Sequence, residues 1–189
     1  MTVREEALIG GRETRPIVIV EHDPAWARRF EQLRPPLLAA LADVAARVDH
    51  IGSTAVPGLA AKPIVDVQVA VADPDREELF LPALEQLGYV LRVREPGHRM
   101  LRTPQLDVHV HVWRAGGEDE RRHLLFRDWL RRSADDRARY EALKRRLAAR
   151  EWEDMNAYAD AKAPVIGEIS ARAERWAEAA GWMPPEPAA

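Results

Sequence analysis

The sequence predicts an α/β (α+β) protein, with a mixed sheet core over residues 17–116 followed by a helical C-terminal part over 117–182. Two segments, "IVDVQVAV" and "LDVHVHVW", alternate polar and apolar residues with the period of a half-buried strand. Two Asp-Pro steps, Asp23-Pro24 and Asp73-Pro74, each precede apolar residues at helical spacing. After Gly116-Gly117 the helical pattern continues to about Trp182.

Taken in order, residues 1–16 mix charges with a glycine pair and read as a loose arm. Ile17–Val20 reads as a short buried strand. Asp23 then serves as N-cap, with Pro24 at the first helical position and Trp26, Phe30 and Leu33 on one helix face. Pro35-Pro36 is expected to break or restart that helix, because proline lacks the amide donor and crowds the preceding turn. "RVDHIGS" supplies a second strand and Ile64–Val71 a third. The segment from Asp73 reads as a helix that Gly88 stops, before Tyr89-Val90-Leu91. Extended stretches at His98–Arg102 and Leu106–Trp113 complete the sheet. In the helical part, breaks are expected near Ser133 and Trp152, and residues 183–189 read as a frayed tail.

Composition narrows the function classes. The 189 residues are 47% hydrophobic, enough to fill a core of ordinary size. A net charge of -3 gives no general pull toward nucleic acid or an anionic membrane, so neither is an expected partner. Arginine is locally dense between Arg121 and Arg150, so an anion site has to be local. With no cysteine, disulfides and thiolate chemistry are excluded. No apolar run approaches the ~20 residues needed to span a bilayer, and no signal segment is evident, so a cytoplasmic location is expected.

The chemistry concentrates in "HIGSTAVPGLAAKPIVDVQV". Gly52 permits close backbone approach and Ser53 adds a hydroxyl, so this turn can hold a phosphate; an ordinary turn explains the pair equally. Lys62 adds a positive charge to the returning loop. Alternation puts Asp66 and Gln68 on one strand face and Val65, Val67 and Val69 on the other. In the later strand Asp107, His109 and His111 share a face, and two imidazoles at that spacing can reach one metal or serve as bases near neutral pH. Both patterns also fit a solvent-facing sheet surface. Arg99 lies on the intervening segment and offers a guanidinium fork for phosphate. Tyr140 with Lys144, and Tyr158 with Lys162, each present a phenol and an ammonium on one helix face.

This signature, with "DPAWARRF", "HVHVW", "HLLFRDWLR", "YEALK" and "YADAK" following in order, resembles the GrpB family over about residues 17–170. The resemblance implies the fold of the nucleotidyltransferase superfamily and a bacterial protein. A related domain is fused to dephospho-coenzyme A kinase in some bacteria, with a proposed folding-helper role. The superfamily pattern is a Gly-Ser turn followed by two acids on a strand, which hold divalent metal bridging nucleotide phosphates. Gly52, Ser53 and Asp66 match it, but Gln68 stands at the second acid position. The resemblance thus implies a nucleotide or phosphate site with Asp66, His109 and His111 as metal-holding and catalytic residues. Gly52, Ser53, Lys62, Arg99, Tyr140, Lys144, Tyr158 and Lys162 would contact phosphate or nucleotide. The implied cofactor is a divalent metal, magnesium ahead of manganese or zinc. The implied reaction is nucleotidyl or phosphoryl transfer to a small acceptor. The alternative is a non-catalytic accessory module for a partner protein.

Overall fold

The computed structural model describes residues 5–184. A five-stranded mixed sheet runs in the order β1-β2-β5-β4-β3, formed by β1 Ala45–Ile51, β2 Val65–Val71, β3 Val90–Glu95, β4 His98–Arg102 and β5 Val108–Arg114. Only β2 and β5 pair in parallel; the other neighbours are antiparallel. The β2–β5 register sets Asp66 opposite His109 and Gln68 opposite His111.

Alternation divides the work of the two central strands. Val65, Val67, Val69, Val108, Val110 and Val112 are buried in the main core with Trp26, Phe30, Leu33 and Leu37 of helix α1, Ala25–Ala40. Asp66, Gln68, His109 and His111 take the opposite face. Helix α2, Leu81–Gln86, adds Leu84 to the main core, and a positive φ of 87° at Gly88 ends its turn. The helical run from the Asp73-Pro74 step is shorter than expected: a single 3₁₀ turn, Glu77–Leu79, precedes α2.

Helices α3 Glu118–Arg132, α4 Ala134–Ala148, α5 Met155–Asp160 and α6 Ala163–Ala180 follow the sheet. Acids in the first turn of α3 and Arg131 and Arg132 in its last turn complement its dipole. Ser133 accepts a hydrogen bond from the Asp136 amide (3.3 Å), and Asp154 accepts one from that of Ala157 (2.8 Å), capping α4 and α5 at the two expected breaks. The loop after β1 inserts Val56 and Leu59 into a second core made by Leu130, Tyr140, Leu143, Leu147, Tyr158 and Ile169. Sheet and helices thereby share one loop.

Three further expectations change. Pro35 and Pro36 lie inside α1, which continues through both. An interior proline costs about 3 kcal/mol, but burial of each of the four large apolar side chains returns about 1.5–3 kcal/mol, and Leu37 is fully covered. Ile17–Val20 is no strand of the sheet; only Val20 bridges Ala61, while Ile17 packs on the second core and Val20 on the first. Its apolar spacing serves two cores, not a ladder. The described part of the arm, 5–16, is also tied down. Leu8 bridges Val93, Glu13 pairs with Arg102, and the Glu13 carbonyl accepts the Met155 amide at 2.9 Å. Residues 1–4 of the arm and 185–189 of the tail lie outside the described residues.

Candidate functional site

A cavity of about 640 Å³ opens between the polar face of the sheet, the loop after β1 and the four C-terminal helices. Gly52, Ser53, Lys62, Asp66, His109, His111, Tyr140, Lys144, Tyr158 and Lys162 all line it. Thus the predicted residues meet, with one exception. Arg99 faces the side of Val112, opposite His111, and is spent on Asp75, Glu77 and the Glu95 and His98 carbonyls. As a residue paired with Val112, it is carried away from the cavity by the two-residue period of the strand.

Gly52 holds φ 70° and ψ -169°, a region open essentially to glycine, and a methyl there would overlap the Asp66 carboxylate. The turn is therefore packed directly on the acid. His109 Nδ1 lies 3.3 Å and His111 Nε2 3.8 Å from Asp66 Oδ1. One ligand atom from each of the three falls within 4.8 Å of the others, so they fit a single metal ion. Burial pushes the Asp66 pKa upward, but the two facing imidazoles outweigh it and hold the carboxyl well below its usual range.

The rest of the functional lining is cationic and phenolic. Lys62 and Lys162 lie over the Tyr158 ring, with Nζ to centroid distances of 5.3 and 4.6 Å, and Lys144 lies 4.9 Å from that of Tyr140. Tyr140 of α4 and Ser53 of the turn line the same cavity. Burial, with repulsion from Lys162 and other cations, lowers Lys144 to about 7, and Glu141 only partly opposes this. Burial and Lys62 lower Lys162 to about 8 against the pull of Asp66 and Asp160. Lys62 is also lowered, chiefly by burial. Burial pushes Tyr158 up to about 12 and Tyr140 upward as well. Both phenols stay protonated as donors.

Helix α4 braces the loop: Glu141 accepts the Ala60 amide at 3.0 Å, and Lys144 donates to the Ala60 carbonyl. Arg131 donates to the Ala55 carbonyl at 2.8 and 2.9 Å.

The sequence offers Glu95, His98, Arg99 and Arg102 for a hairpin beside the site without giving Glu95 or His98 a role, and it is silent on His123. His98 joins Glu95 (Nδ1 to Oε2, 3.1 Å) to His111 (Nε2 to Nδ1, 3.2 Å) and stacks on Trp113. His123 of α3 stacks on the other neighbour of that chain, Trp113, and lines the cavity with Arg122 and Phe126. The pairing of Met100 with His111 would have put His98 on the polar face, had the strand register been known. Nothing in the spacing announces His123. Gln68 is fully buried, does not line the cavity, and leaves both amide atoms unpartnered among the described residues.

Comparison with known proteins follows the same residues. The family model described as GrpB protein matches residues 16–172. The chain belongs to the GrpB family. It is 56% identical to a UPF0157 protein of Streptomyces coelicolor, across 88% of this chain and 89% of that protein. A protein named dephospho-CoA kinase from Mycolicibacterium paratuberculosis is 31% identical across 89% of this chain but only 49% of its own length. The crystal structure of the conserved protein GrpB from Enterococcus faecalis superposes with a TM-score of 0.74 at 33% identity, covering 84% of this chain and 99% of that one. No helix among the described residues is long and apolar enough to cross a membrane.

Proposed function

We propose that this GrpB protein binds a nucleotide or other phosphorylated small molecule and transfers its nucleotidyl or phosphoryl group to a small acceptor. The observation that carries this reading is the meeting of Lys62, Lys144, Lys162, Tyr140 and Ser53 in the same cavity as Asp66, His109 and His111. Buried ammonium groups that repel one another are an unfavourable arrangement until an anion enters. Phosphate oxygens would take the lysines and the donors of Tyr140, Tyr158 and Ser53, while Phe126, Ile166 and Gly167 give the remaining part of the ligand an apolar wall. A cavity of this size suits a mononucleotide.

Asp66, His109 and His111 would hold the divalent ion, which when bound supplies Lewis-acid stabilisation of charge on a transferred group. The chain itself contributes position and electrostatics: the lysines offset developing negative charge and the glycine turn sets the phosphate against Asp66. Gln68 adds no second carboxylate and lies away from the cavity, so the arrangement supports one metal and not a carboxylate-bridged pair.

The reading is tested by titrating pyrophosphate and nucleoside triphosphates into the full chain by calorimetry, with Lys144→Met and Lys162→Met compared. At least tenfold weaker binding in each variant is expected; equal binding, or none to the parent chain, overturns the assignment. The second reading, an accessory module, draws support from the dephospho-CoA kinase relative, of which this chain matches about half. Against docking through the arginine-rich helices, Arg121, Arg127, Arg139 and Arg145 are engaged by Glu174, Asp128, Glu168, and Glu21 and Glu141 of the same chain.

A further inference from the structure

We propose that the ion in this site is zinc in place of magnesium, and that Glu95 and His98 are positioning residues that fix His111 in the form able to bind it. The proposal rests on the metal-site part of the reading above and adds the identity of the ion and the groups that select it.

Donor type and the two distances from Asp66 to the imidazoles agree with zinc. Two zinc ligands about 2.1 Å from the ion at a tetrahedral angle stand about 3.4 Å apart, and here the Asp66 oxygen lies 3.3 and 3.8 Å from the two imidazole nitrogens. Magnesium prefers oxygen donors and water, whereas two imidazoles and one carboxylate suit a borderline first-row ion. With only three protein ligands, a zinc ion held here would have a coordination position left for a bound molecule.

The chain behind His111 supplies direction. With Glu95 as the acceptor, the proton of His98 sits on Nδ1 and its Nε2 carries a lone pair. His111 Nδ1 then donates to that lone pair, which leaves His111 Nε2 unprotonated and aimed at the site. In that form Nε2 and the Asp66 oxygen, 3.8 Å apart, are both acceptors, so a bound cation takes the place of the imidazole proton that favours the carboxylate in the ion-free chain. Glu95 and His98 are 7% and 6% exposed, and His98 lies against Trp113 with ring centroids 3.8 Å apart, so the orientation is fixed by packing.

The test uses the full chain stripped with a chelator and loaded with Zn²⁺ or, for its visible spectrum, Co²⁺. One ion per chain is expected, retained against a large excess of Mg²⁺, with a Co²⁺ spectrum of tetrahedral type that Asp66→Asn abolishes. Glu95→Leu and His98→Leu, which remove the acceptors, should weaken Zn²⁺ binding roughly 10–100-fold, and His98→Gln, whose amide oxygen still accepts from His111, and Glu95→Gln, whose amide oxygen still accepts from His98, should recover most of it. Thermal unfolding of each variant separates loss of fold from loss of metal; if neither leucine variant folds, the competition with Mg²⁺ decides. Mg²⁺ displacing Zn²⁺ at comparable concentration, or wild-type Zn²⁺ affinity in a folded Glu95→Leu or His98→Leu, overturns the proposal. Pyrophosphate binding is measured on the same stripped protein. If it persists while zinc fails, only this inference falls; if both fail, the anion-site reading falls as well.

Discussion

Gly52 couples backbone to chemistry through one missing methyl. Its φ of 70° and ψ of -169°, with Asp66 packed against the site of a Cβ, mean that Gly52→Ala meets two separate penalties. The backbone alone costs about 1–3 kcal/mol, and the methyl displaces the carboxylate as well. Urea unfolding should show at least that loss together with weakened metal binding; an alanine variant as stable as the parent would show that the turn is not held in this conformation. The lysines give a second single-residue test. Lys144 and Lys162, lowered to about 7 and 8, carry their charge below those values and lose it as pH rises through them. Sulfate keeps a constant charge over this range, so its affinity should fall roughly tenfold or more between pH 6.5 and 8.5. A flat profile would mean that neither ammonium contacts the anion.

The helices that roof the cavity are joined at Asp136. Its carboxylate on α4 accepts from Trp129 of α3 at 2.7 Å and from Arg172 of α6 at 2.6 and 2.8 Å, and it is 6% exposed. Asp136→Ala strands a half-buried indole donor and a partly exposed guanidinium, so a loss of about 1–3 kcal/mol is expected in chemical unfolding; Asp136→Asn, which keeps one acceptor, should lose less. Equal stability of alanine variant and parent would place the tie between helices elsewhere. No spacing rule could have found this three-helix junction, because it joins elements far apart in the chain. The same limit explains what was legible at the site. Alternation in β2 and β5 assigns Asp66, His109 and His111 to a polar face from sequence alone, and i, i+4 spacing pairs each tyrosine with its lysine. That the two strands are neighbours, or that Tyr140 and Tyr158 face one cavity, depends on packing. Proline rules misjudged α1 for a related reason: they weigh the local cost at Pro35 and Pro36 without the burial of Leu33 and Leu37 on either side.

Across the molecule, three histidines, His50 and His98 buried and His123 half-buried at the cavity wall, bind protons less readily in the folded chain than in the unfolded one. His50 donates to Thr54 at 3.0 Å and stacks on Phe30, and burial lowers it to about 4. Burial also lowers His123 to about 4 and His98 to about 2, the latter aided by His111 and His123. Between the ordinary histidine pKa near 6.5 and these values, the unfolded chain is protonated and the native chain is not. Folding stability therefore falls as pH drops through that window and is fully present only above it. For His50 alone the loss by pH 4 is on the order of 3 kcal/mol. Glu13, lowered to about 2 by its hydrogen bonds to Arg102, adds a further loss in the same direction below the ordinary carboxylate range. The expected outcome is a urea midpoint that declines steadily from pH 6.5 to 4.5. His50→Gln, which can still donate to Thr54 but does not titrate, should show a shallower decline. A midpoint that holds constant over that range would require His50 and His98 to be reachable by water and protonated in the native protein, which contradicts their burial against Phe30 and Trp113.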